Sequence, residues 1–285
     1  MYNLSYTKTD GKKFDLSYDN EIIVATVDGL TGIPTNIVKV QGSGQIGETL
    51  QNLNVGGRNI VINGFILDQN TEKKEALIKT FAPTTTGRLY FEDQYFIDVV
   101  VKDSPDILQE KHSKFSLTLF APFPFWQKKK AKVLKFGVLS FPKFSFPVKN
   151  LDMHTFGNSQ DQFLIETENK GDQASFFDVK IKAGNDGLTN PRIINVTNGK
   201  ILAFKGKINA GNAVHFYHSE GEYYVDMISG AESENAYNLL DEKSNLFNIQ
   251  QGKNVFAFAA DNGAKSSEAV LSYNEAFSGV LADGV

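Results

Sequence analysis

The 285-residue sequence has no cysteine, which excludes structural disulfides, thiolate metal sites and cysteine nucleophiles and leaves the redox compartment open. It has no apolar run near the ~20 residues that cross a bilayer as a helix, so no membrane partner is expected. Nor does it have a basic excess: 29 Lys and Arg stand against 33 Asp and Glu, a net charge of −4. A dedicated nucleic-acid binder normally shows the opposite balance, so no specific nucleic-acid binding is expected. Residues Met1 to Lys8 show neither an apolar signal core nor a small-residue cleavage site, and the expectation is a chain kept in the cytoplasm or released by lysis.

What the sequence does have is aromatic and glycine-rich. Phenylalanine occurs 23 times, tyrosine 10 and glycine 24, a composition suited to short strands punctuated by turns. Length suggests two domains, and 41% hydrophobic with 22% charged residues is a globular balance. Phe115–Leu119 and Phe177–Lys182 alternate cleanly, as half-buried strands do. Arg58–Leu67 puts Ile60, Ile62 and Ile66 on one face and Val61, Phe65 and Leu67 on the other, which predicts a strand buried on both sides. Further strands are expected at 21–27, 86–91, 94–102, 162–168, 192–196, 200–205, 213–218, 222–228, 254–260 and 268–273. One helix is expected from Asn70 to Phe81: Asn70 or Thr71 caps it, Leu77 and Phe81 share a face, and Pro83 stops it.

The domain boundary is marked by Ala121-Pro122-Phe123-Pro124-Phe125-Trp126, where alternate prolines cannot donate to a ladder, and by Lys128, Lys129, Lys130, Lys132 and Lys135 behind it. These signals predict a first domain over 1–127, a solvated linker over 128–140 and a second, all-β domain over 141–285. The lysines lack the aromatic interleaving of a phosphate-binding patch.

Candidates for chemistry fail on context. Gly42-Ser43-Gly44-Gln45-Ile46-Gly47 fits a dinucleotide fingerprint, with Asp68 near the place of a ribose-binding acid. Yet only Glu48 to Leu53 could form the required helix before Asn54, Gly56 and Gly57 end it, too short for a parallel crossover. The glycines are read instead as tight turns and bulges in an extended loop or hairpin. Among His112, His154, His215 and His218, the pair 215/218 with Glu220 invites a metal, but strand residues three apart point to opposite faces. Glu166 and Glu168 share a strand face, whereas glycosidase carboxylates face each other across a cleft. Asn195-Val196-Thr197 fits a glycosylation sequon, which means little without a secretory signal. No catalytic residue, cofactor site or metal site is assigned.

Taken in order, Gly44 and Gly47, then Gly57-Arg58-Asn59-Ile60-Val61-Ile62-Asn63-Gly64, a short helix, and Phe115 through Trp126 resemble the siphophage distal tail protein family. So do Asn190-Pro191-Arg192-Ile193, the stretch Phe247 to Phe256, and Leu271-Ser272-Tyr273 through Gly279-Val280. The resemblance covers nearly the whole chain and is least clear over about 136–170. It implies a mainly β protein: an N-terminal tube-like ring domain with one helix and an extended hairpin, and a C-terminal galectin-like or jelly-roll sandwich. It also implies a homo-hexameric ring at the phage tail tip, assembled in the host cytoplasm. Its partners would be the major tail tube protein, the tape-measure protein, the tail-associated hub protein or lysin, and in some phages a receptor-binding protein. The family carries no catalytic residues to transfer.

A mildly acidic chain suits a channel through which DNA slides, since basic walls would bind it. The alternative is a carbohydrate-binding sandwich with Phe216, Tyr217, Tyr223 and Tyr224 as a stacking platform. A lectin of that kind would show these rings on one face.

Overall fold

The structure, a computed structural model, describes residues 2–67, 70–108, 112–142, 157–219 and 222–281. The chain divides into two units, residues 1–130 with 276–285, and residues 131–275.

The first unit contains β1 (Leu4–Lys8), β2 (Lys13–Leu16), β3 (Ile22–Asp28), β4 (Thr35–Val40), β5 (Thr49–Val55), β6 (Arg58–Ile66), α1 (Thr71–Thr80), β7 (Thr86–Phe91), β8 (Tyr95–Leu108), β9 (Ser113–Ala121) and β10 (Trp126–Lys128). The second contains β11 (Lys132–Pro142), β12 (Gly157–Gln162), β13 (Leu164–Asn169), β14 (Phe177–Lys182), β15 (Leu188–Thr189), β16 (Arg192–Asn195) and β17 (Lys200–Ala203). It continues with β18 (Lys207–Ile208), β19 (Ala213–Ser219), β20 (Glu222–Ser229), β21 (Glu232–Asn235), β22 (Gly252–Ala259) and β23 (Glu268–Tyr273). The chain then returns to the first unit as β24 (Ala276–Phe277).

An antiparallel sheet ordered β2-β1-β7-β8-β9-β6-β3, with β10 joining β8 and β24, forms the first unit. Its strands bury one side: Arg58, Ile60, Ile62, Gly64 and Ile66 of β6 are buried in strict alternation. The other face of β6, with Val61 and Phe65, is only partly covered, so the expected two-sided burial is corrected to a half-buried strand. Helix α1 covers the sheet where predicted. Asn70 caps it by accepting from the Lys73 N–H at 3.2 Å, and Leu77 and Phe81 are fully buried. Phe81 lies 4.7 Å from the Tyr6 ring and meets Phe14 edge-on, a geometry that adds to simple area burial.

In the second unit a seven-stranded sheet, β12-β11-β23-β14-β19-β20-β21, and a four-stranded sheet, β13-β22-β16-β17, enclose one core. Phe136, Phe177, Phe216 and Leu271 come from the first sheet, Ile193, Leu202, Phe256 and Phe258 from the second. Phe247, outside the strands, stacks on Phe177 at 4.8 Å and lies 6.4 Å from Phe256, so one ring joins both layers. Tyr273 and Thr167 add a hydroxyl bond of 2.9 Å between the sheets.

The lysine-rich stretch is not a linker. Lys132–Phe136 pairs with Ala269–Tyr273, and Leu134 and Phe136 are buried while the intervening Lys135 points to solvent. Lysines on a half-buried strand keep their ammonium groups in water, so a run of them does not exclude pairing. The expected second domain over 141–285 is also shifted, beginning at 131 and ending at 275, because the last residues pack elsewhere.

Candidate assembly surface

Among the described residues, strands β4 and β5 pair only with each other. Every residue from Thr35 to Val40 and from Thr49 to Val55 is exposed, among them Ile37, Val38, Val40, Leu50, Leu53 and Val55. A lone two-stranded hairpin is marginal in water, and monomeric surfaces rarely gather so many aliphatic side chains.

The pairing register sorts these side chains. Residues directly opposite in an antiparallel pair share a face. Thr35 faces Val55, Ile37 faces Leu53 and, beyond a register shift after Val38, Lys39 faces Leu50. Asn36 faces Asn54, Val38 faces Asn52 and Val40 faces Thr49. One side of the arm therefore carries Val55, Ile37, Leu53 and Leu50 with Thr35 and Lys39, and the other carries Asn36, Asn52, Asn54 and Thr49 with Val38 and Val40, so the first side is the more aliphatic. The tip is held by Gln45, whose side-chain carbonyl accepts from the Gly42 N–H at 3.0 Å while its amide donates to Thr49 Oγ1 at 2.9 Å. Ile46 at the tip is fully exposed. Lys39 and Glu48 pair at 2.6 Å, an exposed contact that adds little.

The root of the arm is built differently. Arg58, at the start of β6, is 1% exposed. Its Nη1 donates to the carbonyls of Gly29 at 3.0 Å and Leu30 at 2.9 Å, and its Nη2 to that of Ser278. Burial lowers its pKa, since desolvation disfavours the charged form. The Leu30 carbonyl also accepts from the Trp126 indole at 3.1 Å and the Val280 N–H at 3.1 Å. Gly29 has φ +88°, and a Cβ there would stand 2.2 Å from the Asn59 carbonyl oxygen. Gly29→Ala is therefore expected to destabilise the first unit by about 2–4 kcal/mol, read as a lowered urea midpoint of Trp126 fluorescence.

The sequence-derived candidates fall as follows. Gly42–Gly47 forms the arm tip, with Gly44 and Gly47 at φ +76° and +86°, and neither end opens a helix; Asp68 lies outside the described residues. His154 and Glu220 also lie outside them, and His112 is exposed. His215 stacks on Tyr217 on the outward face of β19, where burial lowers its pKa and raises that of Asp178. His218 stacks on Phe176 at 3.6 Å on the opposite face, so the two imidazoles diverge. Glu166 is exposed and pairs with Lys253 at 3.2 Å. Phe216 and Tyr223 point into the core, stacked at 4.9 Å, and burial pushes the Tyr223 phenol up to about 12. Tyr217 and Tyr224 point outward and stack on each other at 5.4 Å. The four rings are split between two faces, and the platform a lectin needs is not assembled by them. Sequence reasoning missed the buried Arg58, which no local pattern distinguishes from a strand-end arginine in solvent.

Residues 9–121 match the phage tail protein RIFT-related domain family. Over 97% of this chain and 99% of the other, the structure is similar to the Dit protein of phage SPP1, described as a paradigm of the hub adsorption apparatus of phages infecting Gram-positive bacteria, with TM-score 0.67 and 12% identity. The chain has the fold of a siphophage distal tail protein. Chains of the phage p2 baseplate in its activated conformation are also similar: with strontium, TM-score 0.54, 12% identity and full coverage of both chains; with calcium, TM-score 0.53, 12% identity and 95% and 97% coverage. No curated protein matches the sequence. The distal-tail fold thus extends through both units, well beyond the 9–121 segment.

Proposed function

We propose that this chain is the structural hub at the distal end of a long, non-contractile phage tail or of a prophage-derived relative. Six copies close into a ring between the tail tube and the tail-tip apparatus, each laying the aliphatic side of its arm on a neighbouring copy. The observation that carries this reading is the arm, an exposed hairpin whose one face is more aliphatic than the other, in a chain whose fold is that of a distal tail protein. A closed cyclic ring satisfies every arm with the same contact. The remaining partners are the tube and tape-measure proteins on one side and the hub protein or lysin and receptor-binding proteins on the other. The role is architectural, with no catalytic residue assigned.

Antibodies against residues 131–275, applied to intact particles under the electron microscope, are expected to label the tail end opposite the capsid. Label along the tube or on the capsid would contradict the proposal. Isolated 131–275 is expected to show no saturable binding to host cell-wall polysaccharide, since a sandwich fold does not bring glycan affinity with it. Saturable binding would move the reading to an adhesion module.

A further inference from the structure

Three segments far apart in sequence meet at the Leu30 carbonyl: Arg58 at the start of β6, Trp126 in β10 and Val280 beyond β24. A carbonyl oxygen has two lone pairs, so three donors mark a crowded junction. The first directly follows the arm in the chain, and the second lies in β10, which pairs with β8 and β24. The third, residues 276–281, is separated from them by the whole of the second unit.

Arg58 makes the dependence mutual. It forms no ion pair among the described residues, and its charge is met by the carbonyls of Gly29, Leu30 and Ser278. A buried cation is costly unless it is hydrogen-bonded, and Arg58 Nε has no partner among the described residues, so the guanidinium rests on its Nη1 and Nη2 bonds alone. Two of the acceptors are the arm root and one is the C-terminal segment, so losing that segment leaves the guanidinium under-bonded against the root. The segment is fastened at further points. β24 pairs with β10, Trp126 opposite Phe277. Phe277 meets Tyr95 edge-on at 5.5 Å, Val280 is buried, and Gly279 lies so close to Thr31 that an added Cβ would stand 3.0 Å from its methyl carbon.

We propose that residues 276–281 are a completion latch for the arm. Arg58 is the positioning residue that couples them to the root. The arm residues 35–55 are synthesised early, but their root is fixed only after the second unit has been made and the segment behind it has docked. An unfinished or truncated chain then carries a loose arm and does not enter the ring prematurely. The latch regulates the assembly surface and rests on the reading of the arm as that surface.

Trp126 is the only tryptophan and sits at the junction, so its emission reports the root directly. The test compares the full chain with a chain ending at Glu275 and with full-length Arg58→Gln, using Trp126 emission, hydrogen exchange of residues 28–34 and 276–281, and particle size. In the shortened chain, emission is expected to shift to the red and root exchange to accelerate at least about tenfold, the loss of one charge-assisted bond, with assembly lost. In Arg58→Gln, root and segment 276–281 are expected to loosen together while β6 and β9 stay protected; this variant decides the matter if the shortened chain fails to fold its first unit. Unchanged emission and root exchange in the shortened chain, or a root that loosens in Arg58→Gln while 276–281 does not, would overturn the latch. A wild-type chain that stays monomeric while the root responds as expected would remove the assembly reading alone.

Discussion

Ile37→Asp with Leu53→Asp is expected to abolish self-association while both units stay folded. The two residues face each other across the β4–β5 ladder and are both more than half exposed, so the folded monomer loses little packing. Burying the exposed part of each against a neighbour contributes about 1 kcal/mol, and forcing two carboxylates into that apolar contact costs several more. Every copy in a ring carries the lesion, so the effect compounds around it. Asn36→Asp with Asn54→Asp adds the same charge on the amide side of the same arm. This control is expected to weaken association by less than about tenfold, as exposed charges do. Equal losses from both pairs would show that the arm has no sided contact.

Phe247→Ala is expected to cost the second unit about 3–5 kcal/mol, the usual range for deleting a buried phenylalanine, and to lower its melting temperature by about 10 °C. The ring is 4% exposed and stacks between Phe177 of the seven-stranded sheet and Phe256 of the four-stranded one. No neighbour replaces it without moving a sheet. Circular dichroism follows the loss, and Trp126 emission, confined to the first unit, should not follow it. A cost below about 1 kcal/mol would mean that the two sheets collapse onto the gap.

The strands and the helix were legible because each obeys a local period. Phe177–Lys182 buries Phe177, Val179 and Ile181 and exposes the lysines, and α1 starts and stops where Asn70 and Pro83 require. The arm was legible as a glycine-bounded excursion, but its apolar side was not. Leu50 and Leu53, three apart, lie on opposite faces of an ideal strand; the register shift after Val38 brings them to one face, and a bulge leaves no periodic trace. The lysine-rich β11 was misread because charge masked the alternation of Leu134 and Phe136. The return of 276–281 to the first unit and the burial of Arg58 depend on contacts more than two hundred residues apart. No window on the sequence holds both ends of such a contact.

The central claim is that this chain closes a ring through its arm. Light scattering of the purified full chain, alone and with tail tube protein as template, tests it most directly. The account predicts a particle near six times 31.6 kDa in at least one of the two conditions, reduced to a monomer by deletion of residues 36–54. A monomer in both conditions, or a hexamer that survives the deletion, would contradict it.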